Sequence, residues 1–244
     1  MIGQLRSELL KIRTTRTVAA LALAAAAFTV LGALAEGMSR PVHELALQQH
    51  QRTMFSAAGG SAVLFATLAG LIIVTSEFRY GTIRPTLLVE PRRRVVLAAK
   101  LVAAMVVGVV FAVACVALSF GAGLAVLAVR DVHISLSATH AAVLVCGPIV
   151  ACTLGAILGT AVGALIRNQV GAIVVIAAYA FAVDAVLFAS VPSIGRYLPG
   201  KASDAMAGLP TEHLLAPAIG AVVYLTWTLM LLALATVRND RSDI

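Results

Sequence analysis

Residues 97–129 read LAAKLVAAMVVGVVFAVACVALSFGAGLAVLAV, and Lys100 carries the single charge in this stretch. The run exceeds the roughly 20 apolar residues that a helix needs to cross a bilayer. We therefore predict a membrane-spanning helix that tilts or projects beyond the hydrocarbon core. Lys100, near the start of the run, is expected to extend its ammonium toward the lipid headgroups.

Further apolar runs follow the same pattern on both sides of this one. The 244 residues are 61% hydrophobic and 12% charged, with a mean hydropathy of +1.00, whereas about a quarter of the residues in soluble domains are charged. The predicted spans are Val18–Ala35, Ser56–Thr75, Leu97–Val129, Ala141–Ile166, Val170–Val191 and Leu214–Val237. The expected fold is all-α: a polytopic membrane protein with six transmembrane helices, formed by a single domain over residues 1–244.

The net charge of +7 comes from basic residues that cluster between the apolar runs. They are not interleaved with aromatic residues, so membrane topology explains them better than a nucleic-acid partner. Of the eighteen Lys and Arg residues, thirteen fall on the side that carries both termini and the remaining five on the other. The positive-inside rule therefore predicts a multi-pass protein of the cytoplasmic membrane with both termini in the cytoplasm.

The first sixteen residues, MIGQLRSELLKIRTTR, have the pattern of an amphipathic helix. At 100° per residue one stripe is apolar and the opposite face is polar. The stripe contains Ile2, Leu5, Leu9 and Ile12, and the polar face contains Gln4, Glu8 and Lys11. We expect residues 1–16 to form a helix in the cytoplasmic interface of the membrane; a frayed basic tail is the alternative.

One segment, GRYLPGKAS at Gly195–Ser203, approaches the phosphate-binding loop of ATPases. Ala202 replaces the hydroxyl residue that would bind Mg²⁺, and Pro199 lacks a backbone donor. The segment also follows the fifth predicted span, which places it outside the cell. We interpret it as a chance match and predict no catalytic residue, cofactor or metal site on this chain.

The connection between the second and third predicted spans, SEFRYGTIRPTLLVEPRRRVVLAAK at Ser76–Lys100, combines charged and apolar residues. Gly81 permits a tight turn. The segment is suited to lie on the membrane surface and present one face to a cytoplasmic protein. An ordinary positive-inside loop, whose arginines only fix the topology, explains it equally well.

At these residues the sequence resembles the permease subunits of ABC-2-type ABC transporters. The shared features are Glu77, Gly81-Thr82, Leu87-Leu88, Pro91 and Arg92–Arg94, together with the six-span layout. The resemblance implies that the connection forms a coupling helix that docks on an ATPase subunit. By this resemblance Glu77, Gly81 and Thr82 take the coupling role, and their neighbours are Phe78, Tyr80 and Arg84.

The resemblance also implies the partners. ATP and Mg²⁺ would bind to separate ABC ATPase subunits, expected to be two, and a second copy of the chain or a homologous permease would complete the path. The chain would then be the permease of an ATP-driven exporter of amphipathic or hydrophobic cargo: an antibiotic or other drug, a lipid or a peptide. The outer segment Pro192–Thr211 would re-enter the membrane. An integral membrane enzyme and a secondary transporter, which need no ATPase partner, are the alternatives.

Two features inside the predicted spans suggest specific roles. Asp184 lies mid-span, where a charge is costly and usually functional, so we predict that it lines the transport path. A structural hydrogen bond to another span, or partial hydration in the outer leaflet, explains it equally well. Its predicted companions on the path are Tyr179, Phe181 and Phe188. Small residues recur every four positions in the fourth span, including Gly155, Gly159 and Gly163, which predicts close helix packing within the subunit or, less favoured, between subunits.

Overall fold

The computed structural model describes residues 2–83, 85, 88 and 92–241, and no strand occurs among them. The helices, numbered along the chain, are α1 (Ile2–Thr14), α2 (Arg16–Ser39), α3 (Val42–Leu45), α4 (Gln48–Phe55), α5 (Ala57–Arg79), α6 (Arg93–Val129), α7 (Ala138–Ile166), α8 (Gln169–Ala178), α9 (Asp184–Ser190), α10 (Pro192–Gly195), α11 (Pro199–Met206) and α12 (Pro217–Arg241). A π-helical segment, Tyr179–Val183, joins α8 to α9. The all-α prediction is confirmed.

Among the residues that the structure describes, six helical segments are long and apolar enough to cross a membrane, as the sequence predicts. They are Arg16–Ser39, Gln48–Arg79, Arg94–Val129, Ala138–Ile166, Gln169–Ser190 and Pro217–Asn239. The last begins three residues later than the predicted Leu214. The reason is Pro217, because proline disfavours helical geometry in the residue before it and suits the first helical turn.

The second span forms the centre of the bundle. In its apolar window 67% of the residues are buried, compared with 22% in the first span and 17% in the fifth. α5 packs against α2, α6, α7 and α8, and Ala62, Ala66 and Ala69 are fully enclosed. A displacement of α5 therefore affects most of the bundle.

Glycines bring the backbones of α5 and α7 into direct contact. A Cβ atom placed on Gly159 would overlap the carbonyl oxygen of Thr67, and one on Gly163 would lie 2.9 Å from the carbonyl oxygen of Leu71. Gly155 faces Thr67 in the same way, with 2.8 Å between such a Cβ and the threonine Oγ1. The small-residue face of α7 thus lies against another span of the same chain.

α1 forms where the sequence predicts an amphipathic helix, and part of its polar face meets the protein. Glu8, on the polar face of this helix, is 1% exposed, while Leu9 is 36% and Leu10 62% exposed. Ile12 packs against the core. Glu8 is buried because its carboxylate has partners inside the bundle.

The bundle has two ends, which we name by the elements that they carry. The terminal face carries α1, the end of α5 and the start of α6, which adjoins the end of α12 around Asn239. The loop face carries α3, α4, α10 and α11. There Gln51, which is fully buried, donates to the carbonyl oxygen of His133 at 2.8 Å and accepts from the backbone N–H of Ser135 at 2.8 Å.

Candidate functional site

Four charged side chains from three helices meet at the terminal face, and we call them the charge quartet. They are Glu8 and Lys11 on α1, Glu77 on α5 and Lys100 on α6. Lys11 Nζ lies 2.9 Å from Glu8 Oε1 and 2.7 Å from Glu77 Oε1. Lys100 Nζ lies 3.0 Å from Glu8 Oε2 and 2.8 Å from Glu77 Oε1. The quartet thereby ties α1 and α6 to the end of the central helix.

The charge quartet is balanced, with two carboxylates and two ammonium groups. The side chains of Glu8, Glu77 and Lys100 are at most 4% exposed, whereas that of Lys11 is 44% exposed. Buried charges are tolerated only when they are paired. Burial lowers the pKa of Lys11, but the hydrogen bonds and charges of Glu77 and Glu8 outweigh it, so this pKa is raised above 10.5. The stabilisation from Lys11 is therefore present below pH 10.5 and is lost only as the pH rises through the raised pKa.

Lys100 corrects an expectation from the sequence. Its ammonium was expected to extend toward lipid headgroups, but the residue is 2% exposed and points into the bundle. Two carboxylates within 3.0 Å provide stronger partners than headgroups at the membrane surface. Lys100 is therefore a structural counter-ion.

Glu77 connects this buried cluster to an exposed turn, Tyr80–Thr82. Its backbone carbonyl accepts the N–H of Thr82 at 2.9 Å, and Gly81 has a φ of +69°, so α5 ends in a Schellman-type cap that favours glycine. Tyr80 is 70% exposed. The second carboxylate oxygen of Glu77, Oε2, is buried and has no hydrogen-bond partner among the described residues.

The residues beside the turn contact the connection between α7 and α8. The guanidinium carbon of Arg167 lies 5.6 Å from the centre of the half-buried Phe78 ring. Arg79 Nη1 donates to Gln169 Oε1 at 3.4 Å. Arg84, another predicted coupling residue, lies outside the described residues.

Toward the loop face, a cavity of about 480 Å³ lies among α5, α7, α8, the π-helical segment, α11 and α12. Its apolar lining includes Val63, Leu64, Leu158, Val162, Ile176 and Leu231. Its aromatic lining consists of Tyr179, Phe181, Tyr224 and Trp227. The charged groups along this lining, among the residues that the structure describes, are Asp184, Lys201 and Asp204.

Asp184 is 4% exposed and sits where the π-helical segment returns to α-helix. Tyr179 donates its hydroxyl to Asp184 Oδ1 at 3.1 Å, and Lys201 Nζ lies 3.5 Å from Asp184 Oδ2. A Cβ on Gly200 would come within 2.6 Å of both carboxylate oxygens, so the carboxylate rests against a bare backbone. π-helical turns often mark functional sites.

Lys201 and Asp204 form a closer pair one turn apart on α11, with Nζ 3.0 Å from Oδ2. Burial raises the pKa of Asp204, an effect that the ammonium of Lys201 opposes. Burial lowers the pKa of Lys201, but Asp204 and Asp184 outweigh it, so this pKa is raised above the ordinary value. Lys201 therefore carries its positive charge at neutral pH.

A comparison with known families adds the decisive observation. The family model described as "ABC-2 family transporter protein" matches residues 4–183, well over half of the chain. The chain belongs to the ABC-2 transporter family. A search of curated proteins found no match. Membership makes the chain a membrane-spanning permease and implies partnership with ABC ATPase subunits.

The ABC-2 match includes the charge quartet and the exposed turn but ends just before Asp184. Of the path residues proposed from the sequence, Asp184, Tyr179 and Phe181 line the cavity. Phe188 lies outside that lining, and its ring centre is 5.3 Å from Lys201 Nζ. The family match therefore does not cover the charged residues of the cavity, Asp184, Lys201 and Asp204.

Sequence reasoning missed the partners of the predicted residues: Glu8, Lys11 and Lys100 around Glu77, and Lys201 and Asp204 around Asp184. One signal could have found some of them, because a charge in or beside an apolar run needs an opposite charge in the folded bundle. Among the described residues, no group of three or more His, Cys, Asp or Glu side chains could hold a metal ion.

Proposed function

We propose that this ABC-2 family protein is the transmembrane subunit of an ATP-driven exporter that moves an amphipathic or hydrophobic cargo across the cytoplasmic membrane. ATP and Mg²⁺ would bind to two separate ATPase subunits, and a second permease would complete the path. The observation that carries this proposal is the position of Glu77, whose backbone caps the exposed turn while its carboxylate joins the buried quartet.

In this proposal the ATPase docks on the exposed turn Tyr80–Thr82. A force on that turn passes to Glu77 through the helix cap and then, through the quartet, to α1 and α6. It also passes along α5, whose other half lines the cavity at Val63 and Thr67. ATP changes the conformational equilibrium only if the ATPase binds one arrangement of this region more tightly than the other.

Two features support the proposed orientation and the path. By the sequence count, thirteen of the eighteen Lys and Arg residues fall on the side of the membrane that carries both termini, which favours a cytoplasmic location for that side. On the loop face, α11 packs between spans: Gly147 of α7 adjoins Met206, and Gly220 of α12 adjoins Ala202. We infer that α11 re-enters the bundle and closes the path toward the outside.

The test is co-purification of the chain with candidate ABC ATPases encoded near it. We expect vanadate-sensitive ATP hydrolysis in the reconstituted complex and none from the permease alone. ATP hydrolysis by the permease alone, or ion-gradient-driven transport without any ATPase, would favour the alternative functions.

Tyr80→Ala tests the docking surface. The Tyr80 side chain is 70% exposed, so its loss should leave the permease as stable as the wild type while weakening the ATPase complex about tenfold, as expected for an interface tyrosine. Affinity between the purified ATPase and the permease in detergent measures the effect. Tyr197→Ala, at the 44% exposed tyrosine of the loop face, is the matched control and should leave the affinity unchanged. Equal losses in both variants would contradict docking at the turn.

A further inference from the structure

The cavity among α5, α7, α8, α11 and α12 combines an apolar wall with an incompletely compensated carboxylate. Lys201 is closer to Asp204, at 3.0 Å, than to Asp184, at 3.5 Å. The two carboxylates thus share one ammonium, and the nearer one belongs to the same helix turn as Lys201. Asp184 accepts a hydrogen bond from a neutral donor, the hydroxyl of Tyr179, at 3.1 Å. Its nearest cation among the described residues is Lys201, which lies closer to Asp204.

We propose that this cavity binds a lipophilic organic monocation, with the positive charge beside Asp184 and the apolar body along α5, α7 and α8. This inference rests on the proposed function, because it names the charge class of the exported cargo. A cation entering the cavity would take the place that Lys201 fills at long range, and Lys201 would keep Asp204 as its partner.

The lining supports a cation better than a neutral or anionic molecule. Tyr179, Phe181, Tyr224 and Trp227 present aromatic rings to the cavity, and the faces of such rings attract cations, most strongly away from water. An anion would meet two carboxylates and one ammonium, and Lys201 is already held by Asp204. A hydrophilic cation would lose its hydration against Leu64, Val162 and Ile176 without compensation.

The chain has a single tryptophan, and Trp227 lines this cavity, so its fluorescence reports occupancy directly. The experiment titrates the purified permease in detergent with tetraphenylphosphonium, a lipophilic cation, and with tetraphenylborate, an anion of closely similar shape. We expect saturable quenching of Trp227 by the cation and at least about tenfold weaker binding of the anion.

Three variants assign the effect to Asp184. Asp184→Asn keeps the shape and the acceptor for Tyr179 and should weaken cation binding about tenfold or more, because the charge that attracts the cation is lost. Lys201→Met removes the competing ammonium and should strengthen binding several-fold. Asp131→Asn is the matched control on the loop face, where a φ of 54° suits asparagine, and it should bind like the wild type.

The two variants are expected to change the cation affinity in opposite directions. If Asp184→Asn does not fold, the stronger binding expected of Lys201→Met can still be tested against the wild type alone. Equal binding of cation and anion, unchanged cation binding in Asp184→Asn, or weaker binding in Lys201→Met would each overturn the proposal. The titration needs no ATPase. Cation binding without ATPase-dependent transport would therefore refute the exporter function but not the cation site. ATPase-dependent transport without cation binding would refute the cation site but not the exporter function.

Discussion

Lys100→Met is expected to lower the free energy of unfolding by about 3–5 kcal/mol, because it removes a buried ammonium from between two buried carboxylates. Lys100 is 3% exposed at its side chain and lies within 3.0 Å of both Glu8 and Glu77. Methionine fills a similar volume but supplies no charge or donor. Thermal unfolding of the purified permease in detergent would measure the loss.

Two matched variants separate a charge effect from a packing effect. Lys11→Met removes the same charge from the same quartet, but the Lys11 side chain is 44% exposed, so water and ions replace much of its contribution and the expected loss is about 1 kcal/mol or less. Glu8→Gln combined with Lys100→Met restores the charge balance and leaves the Lys11–Glu77 pair intact. This double variant should be more stable than Lys100→Met alone. Equal losses in the two lysine variants would contradict the role assigned to burial.

The same variants address coupling. If the quartet carries motion from the exposed turn to α1 and α6, a folded Glu8→Gln/Lys100→Met protein should still bind the ATPase at Tyr80–Thr82. Its cargo-stimulated ATP hydrolysis should nevertheless fall, because α6 is no longer tied to α1 through Glu8. Hydrolysis that kept its full response to cargo would limit the quartet to a structural role.

The spans could be predicted because hydropathy and length act locally: each apolar run must find a solvent, and only lipid suits runs such as Leu97–Val129. The turn at Gly81 could also be predicted from the sequence, since a glycine that follows a helix favours a left-handed cap. Helical periodicity found α1 as well. It did not show that Glu8 on the polar face would be buried against the bundle, because periodicity describes one helix and not the helices that pack against it.

The charge pairs could not be predicted because they join positions far apart in the chain. Glu8 and Lys100 are 92 residues apart and Lys11 and Glu77 are 66 apart, and no local pattern relates them. The sequence does identify Asp184 as costly, since it stands alone in an apolar run. Its partner Lys201 lies beyond two short helices, and the contact with Gly200 depends on how α11 packs on α9.

Gly159→Ala is expected to destabilise the bundle, because it forces a methyl group into the contact between α5 and α7. The added Cβ would overlap the carbonyl oxygen of Thr67 and lie 3.1 Å from the backbone nitrogen of Leu71. A side chain can rotate away from a new methyl group, but the backbone of a central helix cannot, so α5 and α7 must separate. Such overpacking typically costs about 1–3 kcal/mol, against a gain of about 1 kcal/mol from the helix propensity of alanine.

Gly121→Ala on α6 is the matched control, because nothing lies within 4 Å of its Cβ position. This control should be neutral or slightly more stable than the wild type in thermal unfolding, and Gly159→Ala should be less stable. Equal stabilities would show that the backbones of α5 and α7 can separate at little cost in free energy.

Separation of α5 from α7 would also widen the cavity, since Thr67 and Leu158 lie on its wall. Gly159→Ala should therefore weaken the quenching of Trp227 by tetraphenylphosphonium, whereas a purely local defect would leave that titration unchanged.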